Sequence, residues 1–570
     1  MVLQFLKQDW SSVPTFARNQ IASALRKRVD AHLKGYRQNV GLLGSAGLGK
    51  TDLLSAAYRE FSAHPNLLCA YVRAESLDFE NLADRWAGAL LAGYCRSECL
   101  QIPDAREFVH SDTLEARIPK TFQMIQKIRR SLHKEPQEAL LQNLFALSGV
   151  LTQESGKKLI LMLDDFQEMG GLPCADPFGL LGREIMVQKD TLYLVSSSHP
   201  ERAREIFREK LSLLFGNFEV MELRPFDFQE TADFISRHFP KTTFSTPQKK
   251  LLIDLTNGDP LYLDLILDRL KFYLSPETEE YVSDGLLFLA LREELLDHKG
   301  RIALLFERIL DPLLRQCREG SASLRVLAAV ASGRHRLGEI ASSAGIKTQE
   351  AQKILQKLVH DDHVRKWGTF FLMEDPLFRF WLREVFLRKQ KLCVPDESAV
   401  GTELLGAMRR RMELMAHEDE KFFFSRVERL FKEFRQDAVE MEARKMKCPQ
   451  FLEVACHPAE GRFSLLEAKN QKQRWLCLVA DRHVLEEDVL ALMDLRDKPV
   501  KKTQQKIIIA LAGIDQNAKL MAQTAKIQLW GLRELNSLLA AFDLPKLMIF
   551  EDRKSYGPSL GALAQSLYSS

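Results

Sequence analysis

The apolar residues of the chain change their period several times, and each change marks an element. Short continuous apolar runs stand at "QNVGLLG" (38–44), "NLLCAYVRAES" (66–76), "KKLILMLDD" (157–165), "TLYLVSSSHP" (191–200) and "NFEVMELRPF" (217–226). Runs of this length without polar alternation fit strands buried on both faces. Between them apolar positions recur at helical spacing, as in "TDLLSAAYREF" (51–61). Five strands alternating with helices predict a parallel sheet with helices on both sides.

Further along, a helix at 322–332 precedes "RLGEIASSAG" (336–345), which Gly345 ends, and Thr348 caps a third helix over 349–362. "VRKW" and "TFFLME" around Gly368 then make a hairpin. Three helices and a hairpin spell a winged helix. Residues 400–447 read as a long charged helical segment, with "FFFSRVERLFKEF" keeping apolar positions at helix spacing. After it the pattern returns to strands, "FLEVACH", "RFSLLEA" and "RWLCLVA". A helix ("LEEDVLALMDL"), a strand ("KIIIALA"), a helix ("NAKLMAQTA"), a strand ("IQLWG") and a helix ("LRELNSLLAAF") complete the chain's pattern.

Composition narrows the class. The 570 residues suggest roughly three to five domains. A 46% apolar and 28% charged chain is ordinary for a soluble globular protein. A formal net charge of +3 gives no overall basicity, so any surface for nucleic acid must be local. Nine scattered cysteines without a metal-ligand spacing, and no signal-like start, point to reduced thiols and a cytoplasmic protein. No run approaches the ~18 apolar residues of a membrane span.

The candidate chemistry begins at "GSAGLGKT" (44–51), between the first strand and the first helix that follows it. Chance would place its four fixed positions in a chain this long roughly 0.02 times. Strand, glycine-rich loop and helix are what phosphate binding needs. The backbone of Gly44, Ser45, Ala46, Gly47, Leu48 and Gly49 would wrap the phosphates of ATP. Lys50 would reach the β- and γ-phosphates, and the Thr51 hydroxyl would ligate Mg²⁺. The strand at 159–163 ends in Asp164 and Asp165. Asp164 would hold the Mg²⁺ shell, and Asp165 stands where a water-orienting carboxylate lies. Many P-loop ATPases carry glutamate there, and aspartate is shorter by one C–C bond, about 1.5 Å. Glu168 could act instead from the following turn. At the end of the fourth strand Ser197 is the first candidate to face the γ-phosphate, with Ser196, Ser198 and His199 beside it.

Several of these stretches together resemble the archaeal-type ATPases, a STAND/AAA-related group of P-loop proteins. "FARNQIASAL" is similar to that family's Arg-containing opening segment, with Arg18 in that role. "LMLDDFQEM", "SLLFGNFEVMELRPFDFQETADFI" and "EDPLFRFWLREVF" match its acid-bearing strand, its fifth strand and the close of its winged helix. "NGDPLYLDLIL" matches the turn of its helical lid, which implies that Gly258 and Pro260 contribute to the nucleotide site. Where the family commonly has Arg before the last strand, Asn217 stands; Arg202, Arg204 and Arg208 lie nearby but off the pattern. With Asp165 in place of glutamate, this favours slow hydrolysis or a nucleotide-held switch.

The C-terminal strands resemble the restriction-endonuclease-like domain appended to many members of that family. Its catalytic form needs an Asp on one strand and Glu-x-Lys on the next to hold Mg²⁺. In the register that suits the family's phasing, Ser464 and Leu478-Val479-Ala480 occupy those positions and the domain is inactive. In the other register Glu453, Glu467 and Lys469 would make an active nuclease.

The expected architecture is thus α/β. It comprises a P-loop ATPase core with a parallel sheet (1–238), a helical lid (239–315), a winged helix (316–390), a helical linker (391–447) and a nuclease-like α/β domain (448–570). The leading function is an ATP-dependent switch that hydrolyses slowly and acts on DNA or a DNA-associated complex. Double-stranded DNA would meet the winged helix through Gln349, Gln352, Lys353 and Lys357. Protein partners would dock on the C-terminal domain, no membrane is involved, and a nucleotide-dependent oligomer is open. An ATP-regulated nuclease and a nucleotide-stabilised docking scaffold are the alternatives.

Overall fold

The computed structural model describes residues 18–74, 78–100, 112–132, 134–211, 218–274, 280–315, 322–391, 396–416, 420–441, 444–458, 463–494 and 503–548. Asn217 lies outside these. The chain divides into two compact units, Met1–Pro225 and Phe226–Ser570. The helix Phe228–His238, which the sequence assigns to the core, therefore goes with the second unit.

In the first unit five strands form one sheet: β1 (Asn39–Leu43), β2 (Leu67–Arg73), β3 (Lys158–Asp164), β4 (Thr191–Ser197) and β5 (Phe218–Glu222). Their order is β2-β3-β4-β1-β5 and every neighbour is parallel. All five fall within the predicted runs. The continuous apolar character of β3 has a direct cause. Leu159, Leu161 and Leu163 enter one core with Trp86 and Phe145, while Ile160 and Met162 enter the other with Leu54 and Leu194. Both faces are buried, so no position is left for a polar residue until the strand ends at Asp164. β4 lies between β1 and β3, which brings the C-terminal ends of these three strands side by side. That is where an open α/β sheet places its ligand.

The second unit begins with helices. Asp227 and Ser245 close capping boxes at the starts of Phe228–His238 and Thr246–Thr256. The helices Ala322–Ala331, Leu337–Ala344 and Thr348–His360 follow, then the hairpin β6 (Arg365–Trp367) and β7 (Phe370–Leu372). Gly345 ends the middle helix in the left-handed region, as expected. The next helix begins at Thr348 with Lys347 at its cap position and no side-chain cap, so Thr348 does not cap it.

The segment expected to be wholly helical up to 447 is not. After the helices Glu397–Ala416 and Glu420–Lys432 comes an antiparallel hairpin, β8 (Asp437–Met441) and β9 (Arg444–Cys448). Its alternation is real, since Asp437 and Val439 are buried and Glu440 exposed, but the many charges hide it in a scan for helix spacing. The β6–β7 hairpin sits on this one. The peptide N–H of Thr369 donates to the Ala438 carbonyl at 2.8 Å, and the Trp367 indole donates to the Glu440 carbonyl at 2.5 Å. Trp367, Phe370 and Leu372 share a single core with Phe431, Trp475 and Trp530.

A second five-stranded sheet holds β10 (Glu453–Pro458), β11 (Phe463–Lys469), β12 (Gln473–Ala480), β13 (Thr503–Ala510) and β14 (Gln528–Gly531), in that order. The first two pairings are antiparallel and the last two parallel, with helices Glu486–Asp494 and Gln516–Thr524 as the crossovers. Each of these strands and helices was legible in the apolar pattern.

Candidate nucleotide site

The loop after β1 is shaped by its glycines. Gly47 and Gly49 have φ of 88° and 83°, where a Cβ is disfavoured, and a Cβ on Gly44 would stand 2.9 Å from the Leu223 carbonyl. The helix Lys50–Phe61 starts directly from this loop, so its free N–H groups face the space the loop encloses. The buried Arg18 guanidinium donates to the Leu48 carbonyl at 3.4 Å and ties the loop to the segment before it. Lys50 is buried, and its ammonium donates to the Ser45 carbonyl at 2.8 Å, across its own loop.

Thr51, the next residue, donates its hydroxyl to Asp164 Oδ2 at 2.8 Å. Asp164 is fully buried. The Ser196 hydroxyl donates to its Oδ1, and the Tyr71 phenol donates to its Oδ2 at 2.7 Å. Burial, and the Asp164 carboxylate beside it, hold the Tyr71 phenol well above the ordinary tyrosine range, so it stays a donor.

Asp165 turns away. Its backbone is left-handed, with φ of 52°. Its Oδ1 accepts from the Ser198 hydroxyl at 2.6 Å, from the Ser198 peptide N–H at 3.2 Å and from the Gln167 amide at 3.4 Å. Glu168 accepts from the same Gln167 amide at 3.3 Å. The two candidate water-orienting acids are thus side by side, joined through Gln167.

Ser197, the first choice on the fourth strand, does not touch either acid through its side chain. Its hydroxyl donates to the His199 carbonyl at 3.2 Å and accepts from the His199 N–H at 3.1 Å. It reaches the loop through its backbone, where its carbonyl accepts from the Gly44 N–H at 3.3 Å. Ser196 and Ser198, on either side of it in sequence, carry the contacts to the acids. Tyr71 was missed altogether, because a tyrosine in a buried strand carries no motif.

Gly258 and Pro260 belong to the second unit. There Gly258 has φ of 75°, and a Cβ on it would meet the Phe226 carbonyl at 2.0 Å. Asp259 caps the helix Pro260–Lys271, with Pro260 in its first turn. Their local work is to make a close turn against Phe226.

The residues fit a magnesium–nucleotide complex. A glycine loop, a helix start, a buried lysine, and a hydroxyl set beside a buried carboxylate are the donor set that Mg²⁺ and a triphosphate take. Lys50 would hold the β- and γ-phosphates, and Thr51 with Asp164 would hold the metal.

The acids of the alternative nuclease register are each paired with a cation. Lys469 lies opposite Glu453 across β10 and β11 and pairs with it at 3.0 Å, and Arg474 pairs with Glu467 at 2.7 Å. In the other register Ser464 is buried opposite Val479, with no carboxylate at either position.

No family model and no curated protein matches the chain. Among solved structures it is similar to a Walker-type ATPase of Pyrococcus abyssi, at 15% identity over 64% of this chain and 95% of that one, TM-score 0.45. It is similar to the Aeropyrum pernix ORC2 protein in its ADPNP–ADP complexes, at 15% identity over 70% and 95%, TM-score 0.41. It is also similar to the A. pernix ORC1 protein in complex with DNA, at 14% identity over 70% and 94%, TM-score 0.37. The P-loop ATPase fold of this chain stands on its own geometry: the interposed β4, the glycine loop after β1, and Asp164 at the end of β3 beside Thr51.

Proposed function

We propose that this protein binds Mg²⁺·ATP at Lys50, Thr51 and Asp164, hydrolyses it slowly, and serves as a nucleotide-dependent switch on DNA or a DNA-associated complex. The observation that carries the slow cycle is the state of Asp165. Its Oδ1 accepts from Ser198 and Gln167, which holds the carboxylate in place, and it is one bond shorter than the glutamate such sites often use. A water-orienting base must have a free acceptor within reach of the water. Bound Mg²⁺ would supply charge stabilisation at the phosphates. Lys50 would neutralise them, and the buried Asp164 would accept hydrogen bonds from the water shell of the metal.

The link to DNA rests on the three-helix-and-hairpin segment, read as a winged helix. On its third helix Gln349, Gln352, Lys353 and Lys357 are all exposed, on the helix that a winged helix lays in a major groove. A second reading, a scaffold that holds nucleotide and docks proteins, is favoured by Glu350, exposed on the same helix among its lysines, which weakens the positive field that DNA would meet. The Glu453–Lys469 and Glu467–Arg474 pairs speak against the nuclease alternative.

The test is ATP turnover by the full chain with and without duplex DNA, using Lys50→Ala as the blank. Slow turnover that DNA stimulates and K50A abolishes is the expected result. Nucleotide binding without turnover and without DNA affinity would select the scaffold. Turnover that persists in K50A would overturn the site.

A further inference from the structure

Three hydroxyls converge on Asp164, and two of them are where the fold requires polar groups. Thr51 follows the loop lysine, and Ser196 is on β4, next to β3. Tyr71 comes from the opposite neighbour, β2, where it pairs in register with Met162, two residues before Asp164. From there its phenol reaches along the sheet to Oδ2. Its ring packs near that of Tyr58, on the helix Lys50–Phe61, with centroids 6.1 Å apart. Tyr58 uses its own hydroxyl elsewhere, accepting from Arg96. So of two adjacent tyrosines, one touches the acid and one does not.

A carboxylate offers about four lone-pair positions. Thr51, Tyr71 and Ser196 take three at Asp164. The final torsion of an aspartate is broad, so a carboxylate held at fewer points rotates. We propose that Tyr71 is a positioning residue for the metal: its hydroxyl fixes the rotation of Asp164 and keeps the remaining acceptor position for the Mg²⁺ water shell. It acts through Asp164 and makes no contact with nucleotide. This rests on the assignment of Lys50, Thr51 and Asp164 as the Mg²⁺·nucleotide site.

The role separates metal dependence from nucleotide affinity. In the full chain, binding of a fluorescent ADP analogue is measured in EDTA and across a Mg²⁺ titration, for wild type, Tyr71→Phe, Tyr58→Phe and Lys50→Ala. Y71F should raise the Mg²⁺ concentration at half-maximal effect roughly tenfold, the scale of one hydrogen bond to a charged acceptor. Its affinity in EDTA should stay within about twofold of wild type, and so should its melting temperature in the absence of ligand within a few degrees. Y58F, which loses a neighbouring hydroxyl but not the one on Asp164, should titrate like wild type. A Y71F titration that matches wild type overturns the proposal. So does an equal loss of affinity in EDTA, which would mark Tyr71 as a packing residue only. If K50A binds as wild type does in both conditions, the nucleotide site itself is misplaced and the proposal falls with it. The K50A arm tells that failure from the other two.

Discussion

Ser196 and Ser197 end β4 and Ser198 follows it, and the three side chains go to different partners. Ser196 and Ser198 reach Asp164 and Asp165, while Ser197 turns its hydroxyl to the His199 peptide. At Asp165 the left-handed backbone adds strain of about 1 kcal/mol or more, which the Ser198 contacts help to offset. Removing the Ser198 hydroxyl should loosen Asp165 toward the water it would orient. Ser198→Ala is therefore expected to raise ATP turnover several-fold in a steady-state assay against the K50A blank, with a stability loss of about 1 kcal/mol. A fall in turnover would mean that Ser198 itself serves the reaction. Lys50, Thr51 and Asp164 were legible because loop spacing and a strand-ending acid are local patterns. The choice among three consecutive serines was not, since it depends on how β4 is phased against β3, and Tyr71 was hidden for the same reason.

Among the elements, the β8–β9 hairpin changes the picture most. Read by spacing, its stretch belongs to a charged helical linker; in the fold it receives the β6–β7 hairpin and holds it. A Cβ on Gly368 would lie 1.9 Å from the Ala438 carbonyl, so the turn of that hairpin is seated without room for a side chain. At the same junction the Arg336 guanidinium makes two 2.8 Å hydrogen bonds to Asp437, whose side chain is only 4% exposed. Arg336 also lies over the Phe370 and Phe542 rings. Losing one partner of such a pair strands a buried charge. Arg336→Ala should thus cost about 3 kcal/mol in urea unfolding. Arg336→Ala with Asp437→Ala should cost clearly less than the sum of the two single changes; an additive result would mean that the pair does not couple. This hairpin is packed within the second unit, while the helix Thr348–His360 keeps Gln349, Gln352, Lys353 and Lys357 exposed.

At the scale of the whole molecule, stability and function meet in the first unit, where the site sits at one end of the sheet and a buried histidine holds the other. His32 is fully buried, and its Nε2 meets the Asp190 carbonyl at 3.2 Å. Burial, together with the Lys158 ammonium nearby, lowers its pKa to about 4 from 6.5. A group lowered in the folded state binds its proton only on unfolding. Its contribution is therefore complete above about pH 6.5 and is lost as pH falls toward 4. Denaturant unfolding should show about 2 kcal/mol lost from this source by pH 5, and His32→Leu should flatten that slope. An unchanged slope in the variant would assign the acid sensitivity elsewhere. The sequence alone determined the five strands of the sheet, the glycine loop after β1 and the alternation of the C-terminal domain. Apolar period and glycine spacing are properties of neighbours along the chain. Only the tertiary structure decided that Tyr71 and Ser196 share Asp164, that Asp165 is tied to Ser198, that Glu467 is paired with Arg474, and that one hairpin seats another. Each of these depends on the register between segments far apart in sequence, and a single chain read residue by residue carries no record of that register.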